Sequence, residues 1–144
     1  SATQRFVISW FNRRDLALVN NFTADRTTNS TTYVELNTEI RCEFLTWGDE
    51  AVIVGVSGMF TTPVAATGST AVGFDGTNQE NAITSSSAVN GAIGIMLCRT
   101  LSEGYHYVTV RGASNAGTVT WEGATYVADA TRVDRTSLTA LIRG

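Results

Sequence analysis

The sequence predicts an all-β fold, an antiparallel sandwich or barrel in one domain, and three observations carry that prediction. Apolar residues recur mostly with period two rather than 3.6. The alternating runs are short, roughly eight to ten of them at about 8–12-residue spacing. Gly, Asn and Asp clusters separate them, and the one proline, Pro63, falls in a connection. A chain of 144 residues matches one domain and buries a real core without disulfide staples.

Taken in order, Phe6, Ile8 and Trp10 alternate with Val7, Ser9 and Phe11, a first strand apolar on both faces. Leu16 to Val19 follows the charged corner Asn12-Arg13-Arg14-Asp15. Leu16 to Phe22 is the only stretch that competes as a helix, and its asparagines and short length weigh against it. A Thr/Asn-rich connection, Thr23 to Thr32, leads to a short strand at Tyr33 to Leu36. Ile40, Cys42 and Phe44 alternate with Arg41 and Glu43, the pattern of a half-buried antiparallel strand, with Trp47-Gly48-Asp49-Glu50 as its turn. Ala51 to Val56 is a continuous apolar run rich in β-branched residues and ending at Gly58, expected to be central. Thr70 to Phe74 closes on the turn signal Asp75-Gly76, and a polar stretch, Thr77 to Ser87, precedes the strand Ala92 to Cys98. Tyr105 to Arg111 alternates strictly after Gly104. Thr118 to Trp121, Ala124 to Ala128 and Ser137 to Ile142 supply the last strands.

Composition narrows function. All ten basic residues are arginine, which excludes a phosphate-loop lysine, a Schiff-base lysine and a lysine general base. The net charge is −3, and no basic field invites nucleic acid or an anionic membrane. Charged residues make up 16%, below the usual share of about 25%. A surface so rich in Thr, Ser and Asn suits a protein whose faces are covered inside an assembly. No apolar run is long enough for a spanning helix, and Ser1-Ala2-Thr3-Gln4-Arg5 does not open like a secretory signal, so neither membrane nor export is expected. Cys42 and Cys98 each sit in an apolar strand-like run and are expected as buried free thiols, a disulfide requiring their strands to be neighbours.

Few side chains are available for chemistry. His106 is the single imidazole, and a nucleophilic triad would join it to a serine and to Glu103 or Asp129. The run Ser85-Ser86-Ser87 lacks the glycine-flanked spacing of a nucleophile elbow. Within Tyr105-His106-Tyr107 the ring is expected to pack on a sheet face with its nitrogens bonded locally, so the chain is read as non-enzymatic. Asp49-Glu50 and Asp129 to Asp134 could offer oxygens to a hard cation, but neither has the spacing of a calcium loop, and solvated carboxylates are the simpler expectation. No cofactor is expected. Arg13 and Arg14, beside Trp10 and Phe11, could meet a nucleic acid, yet planar guanidinium forks in an acidic chain are better suited to carboxylates across a protein interface. Tyr105, Tyr107, Trp121 and Tyr126 could stack on sugar rings, with core or interface anchoring as the default. Trp10, Phe11, Arg13, Arg14, Tyr105 and Tyr107 are therefore the candidate oligomer or docking residues.

Several segments in sequence order carry a resemblance. Ser30 to Leu36 resembles the strand that opens many jelly-roll domains of phage virion proteins, and Phe74-Asp75-Gly76-Thr77 resembles their strand-then-turn signal. Leu101 to Val110 is similar to their leucine–glycine strand with alternating His and Val, and Leu138 to Ile142 resembles their last strand. Over residues 31–144 the chain resembles the tumour necrosis factor-like jelly roll of tailed-phage decoration proteins and fibre tips. Residues 1–30 would then add a strand or an arm to a single jelly-roll domain spanning 1–144. The resemblance implies a homotrimer with one sheet of each antiparallel two-sheet sandwich facing the threefold axis. It also implies a virion location and a partner in the major capsid protein or another virion protein. The function expected is capsid decoration or cement, with a fibre tip recognising a cell-surface glycan as the alternative. Strands apolar on both faces point the same way, because a lone sandwich covers only the inner face; the first strand or Ala51–Val56 is expected between protomers.

Overall fold

Alternation along the strands sorts the side chains of this chain into two antiparallel sheets that share one core. The structure is a computed structural model and describes residues 14–63, 65–76, 78–79, 84–86, 90–123 and 135–144. Twelve strands are placed among them: β1 (Leu16–Asn21), β2 (Arg26–Thr28), β3 (Val34–Glu35), β4 (Cys42–Trp47), β5 (Ala51–Thr61), β6 (Gly68–Phe74), β7 (Asn78–Gln79), β8 (Thr84–Ser86), β9 (Asn90–Thr100), β10 (Glu103–Ser114), β11 (Val119–Trp121) and β12 (Ser137–Arg143).

The first sheet is built on β5. One edge of β5 pairs with β12 along Ala51–Ser57 and with β11 at Phe60 and Thr61; the other edge pairs with β9 over its full length. β1 extends this sheet beyond β12, and β2 extends it beyond β11. The second sheet is built on β10, with β4 and β3 on one edge and β6 on the other, and β7 and β8 beyond β6. All pairings are antiparallel, an all-β two-sheet sandwich of the jelly-roll class.

Inward positions alternate as the period-two pattern requires. Val52, Val54 and Val56 of β5 face Cys42, Phe44, Val72, Val108 and Val110 of the other sheet across the core. Trp121 joins the layers: it is fully buried, stacks on Phe60 with ring centroids 6.0 Å apart, and donates its indole N–H to Thr70 Oγ1 at 2.8 Å. Gly112 lies beneath it, and a Cβ there would come within 2.6 Å of the indole. The Asp75-Gly76 signal is borne out as a turn in which both residues take positive φ, 51° and 75°.

Several boundaries differ from the sequence reading. Leu16–Asn21 is a strand, and its competing helix does not form. The expected strand Tyr33–Leu36 is only Val34–Glu35. Ile40 belongs to a 3-10 turn, Thr38–Ile40, that Asn37 caps by accepting the Glu39 N–H at 2.8 Å; the local cap outcompetes strand pairing there. The polar stretch after Gly76 holds β7 and β8, whose pairing comes from β6 rather than from an apolar pattern. Cys98 corrects an expectation outright. It is exposed, because β9 alternates and Cys98 takes the outward phase with Met96, whereas Cys42 is buried; both thiols are free. Phe6 to Phe11 and Ala124 to Ala128 lie outside the described residues.

Candidate interaction faces

Both sheets turn one face outward, and the two faces carry different chemistry. On the first sheet, β1 presents Ala17 and Val19, β12 presents Thr139 and Leu141, β5 presents Ile53 and Gly55, and β9 presents Met96 and Cys98. Arg143 is the one charge among the outward positions of these four strands. It sits at a corner, 3.7 Å from Asp15. Met96 is 80% exposed and Val19 60%. Gly55, paired between Met96 and Thr139, and Gly94 leave a groove of about 380 Å³ in this face, floored by backbone. A Cβ built on Gly94 would meet nothing.

On the second sheet the outward face is polar and internally bonded. Arg41 sends its Nε and one terminal nitrogen to the two Glu35 oxygens, 2.6 Å each, and lies 4.3 Å over the Tyr107 ring. Thr109 adds a hydroxyl to Glu35 at 2.9 Å. The Arg41 hydrogen bonds hold the Glu35 carboxyl below the usual carboxylate range against the opposing effect of burial, and Glu35 in turn raises Arg41. Arg111 donates to the carbonyls of Gly76 and Tyr33 at 2.9 and 2.7 Å, and its stem lies over Gly73. Tyr105, 57% exposed, has its phenol raised by burial and by neighbouring Glu43.

The sequence-derived candidates separate accordingly. Tyr105 and Tyr107 stand on the outer face of the second sheet, not in the core, because β10 turns its odd positions outward. Trp121 is core. Arg14 is exposed just before β1. Trp10, Phe11, Arg13, Tyr126, Asp129 and Asp134 lie outside the described residues. The sequence reading missed the Glu35–Arg41 fork; the alternation of Arg41 and Glu43 with buried residues was its one visible trace.

His106 is buried, and both ring nitrogens meet oxygen acceptors: Nδ1 is 2.8 Å from Asp75 Oδ2 and Nε2 is 2.8 Å from the Ser102 carbonyl. Asp75 also accepts the Tyr107 N–H at 3.0 Å, so the imidazole fastens the Asp75-Gly76 turn to β10. Its carboxylate partner is Asp75, not Glu103. The Asp49-Glu50 pair is split: Asp49 is exposed, whereas Glu50 is buried and accepts the Trp47 N–H at 3.0 Å, which corrects its reading as a solvated carboxylate. Among the described residues no group of three or more His, Cys, Asp or Glu side chains is placed to hold a metal ion, and no helix is long and apolar enough to cross a membrane. Burial pushes the Cys42 thiol up to about 11, so it stays protonated and inert.

Compared with known proteins, the chain matches no family model and no curated sequence.

Proposed function

We propose that this chain is a non-enzymatic structural protein of a phage particle, a homotrimeric capsid decoration protein of the tumour necrosis factor-like jelly-roll type. The observation that carries the reading is the outer face of the first sheet. Four strands there offer small and apolar side chains with a single charge at the corner. At about 4.8 Å between strands and 3.4 Å per residue, four strands of some seven residues span roughly 450 Å² per copy. Doubled across a contact, that approaches the ~1,000 Å² a specific interface needs, before side-chain relief is counted. A neutral face of this size is poorly suited to water and well suited to a second neutral face. Outward Ala51, Ile53 and Gly55 are the second side of the β-branched run expected between protomers.

The polar face of the second sheet suits a different neighbour. Its arginines are already bonded within the chain, so the face keeps its shape when it docks, with Tyr105 as an aromatic anchor beside Glu43. The major capsid protein is the proposed partner, and neither nucleic acid nor membrane enters this reading. Two measurements test it. The purified protein is expected to show a native mass of three times 15.4 kDa, and capsids that carry it are expected to withstand heat and pressure better than capsids that lack it. Equal resistance of the two kinds of capsid sinks the cement role.

A further inference from the structure

At the end of the second sheet furthest from Tyr105, the proposed docking anchor, β10 and β6 build a small concavity on the same outer face. Its volume is about 290 Å³, near the lower end of small-molecule sites, and its lining includes Thr31, Tyr33, Thr67, Ser69, Ala113 and Asn115. The register explains its shape. Ala113 pairs with Ser69 of β6 on one side and follows Gly112, which pairs with Val34, so Tyr33 borders it on the other. A methyl group in the middle row, between a phenol and a hydroxyl, makes a floor lower than its walls.

The backbone around this floor is tied down. The Asn115 N–H donates to the Thr67 carbonyl at 3.1 Å, and the Thr67 N–H donates to the Asn115 side-chain oxygen at 2.6 Å. Ser114 N–H donates to the Ser30 carbonyl at 2.8 Å, and its hydroxyl bonds the carbonyls of Ala116 and Gly117. Arg111 holds the Tyr33 carbonyl at 2.7 Å. Those bonds occupy backbone groups. The hydroxyls of Thr31, Tyr33, Thr67 and Ser69 and the amide nitrogen of Asn115 have no hydrogen-bond partner among the described residues. A pre-ordered frame thus presents several neutral donors and acceptors around one aromatic ring and one methyl.

We infer that this concavity is a binding subsite for a neutral sugar residue. The chemistry of the lining selects that class. An anionic ligand would find no cation in the lining, and both terminal nitrogens of Arg111 on the same face are engaged by the Gly76 and Tyr33 carbonyls. A purely apolar ligand would cover several hydroxyls without replacing their water, and each hydroxyl left unmet counts against binding. A pyranose has hydroxyls around its rim for Ser69, Thr67 and Asn115, and a C–H face for Tyr33 and Ala113. The subsite adds recognition of a glycan to the assembly role, and rests on that role only in that docking through the Tyr105 end of the second sheet leaves the Tyr33 end open.

Saturation-transfer NMR on the full chain tests the site, with glucose, galactose, mannose and N-acetylglucosamine as probes and a glycan array to find longer chains. Weak binding is expected, in about the millimolar range for one sugar ring. Tyr33→Ala abolishes it, and Ser69→Ala, which removes one hydroxyl from an exposed sheet face, weakens it about three- to tenfold. Thermal melting of both variants shows that the fold persists. Absence of any sugar signal overturns the inference. So does binding that survives both substitutions, binding lost on Tyr105→Ala instead, or binding confined to acidic sugars. Each of those results leaves the capsid measurements above untouched, and failure of the cement role leaves this test valid.

Discussion

The two outer faces of this sandwich rest on the same core and differ in where their charges find partners. On the second sheet, Arg41 is paired with Glu35, and both terminal nitrogens of Arg111 are held by backbone carbonyls inside the chain. On the first, charge is withheld from the outward positions of four adjacent strands except for Arg143 at a corner. A charged face that satisfies itself is stable in water and tolerates any neighbour of suitable shape. A neutral face with a glycine-floored groove is satisfied only by cover. Stability is therefore expected to depend on the second face, and assembly on the first.

The largest effect tests whether the faces do share one core. Trp121 sits in the first sheet, stacks on Phe60 and donates to Thr70 of the second. Trp121→Ala is expected to lower unfolding free energy by about 3–5 kcal/mol, read from the urea midpoint. A cost below about 1 kcal/mol would mean that the sheets are held together elsewhere.

A smaller effect belongs to the polar face alone. Removing Arg41 leaves Glu35 with the Thr109 hydroxyl and the more distant charge of Arg111, and uncovers the Tyr107 ring. Both partners are about a quarter exposed, so solvent screening limits the loss to about 1 kcal/mol for Arg41→Ala. Arg41→Lys keeps the charge but loses the two-pronged contact, and is expected to recover less than half of that. Full recovery by lysine would show that charge, not the fork, matters here.

Acid offers a third test of the same face. The Glu35 carboxyl is held below its ordinary value of 4.5, first by the Arg41 hydrogen bonds. Because the folded value lies below the unfolded one, its contribution is complete above about pH 4.5 and is lost as pH falls through the folded value. The melting midpoint of the wild type should fall more steeply below that pH than that of Glu35→Gln. Parallel curves would remove Glu35 from the acid response.

Much of this contrast was visible in the sequence, and the remainder was hidden for definite reasons. The continuous apolar run from Ala51 to Val56 placed Val52, Val54 and Val56 in a central strand, because such a run, rich in β-branched residues, is a local property of the chain. The phase of β9 was not visible: Gly91 to Met96 reads as a continuous apolar run, and only pairing with β5 shows that Cys98 and Met96 face out. Tyr105 and Tyr107 were expected as core or interface anchors, and which of the two holds depends on which neighbours cover β10. Residue type alone gave His106 its local bonding role. Its carboxylate, Asp75, comes from a turn 31 residues away, and no spacing rule connects the two.

The smallest expected effect on the single chain separates the faces most sharply. Met96 projects from the neutral face and touches little of its own core, so Met96→Asp should change the unfolding free energy of the separated chain by no more than about 0.5 kcal/mol. In an assembled protein the new carboxylate would be carried into a covered, uncharged face, where an unpaired charge costs far more than the methionine contributes. The expected result is an unchanged melting midpoint at low concentration together with a loss of native mass to 15.4 kDa. Alkylation of Cys98, two residues along the same outward row, reports the same event: slow in the assembled wild type, fast in the variant, with buried Cys42 unreactive in both as an internal control. An assembly that tolerates Met96→Asp and leaves Cys98 reactive throughout would move the interface off the first sheet, and the absence of charge there would then need another cause.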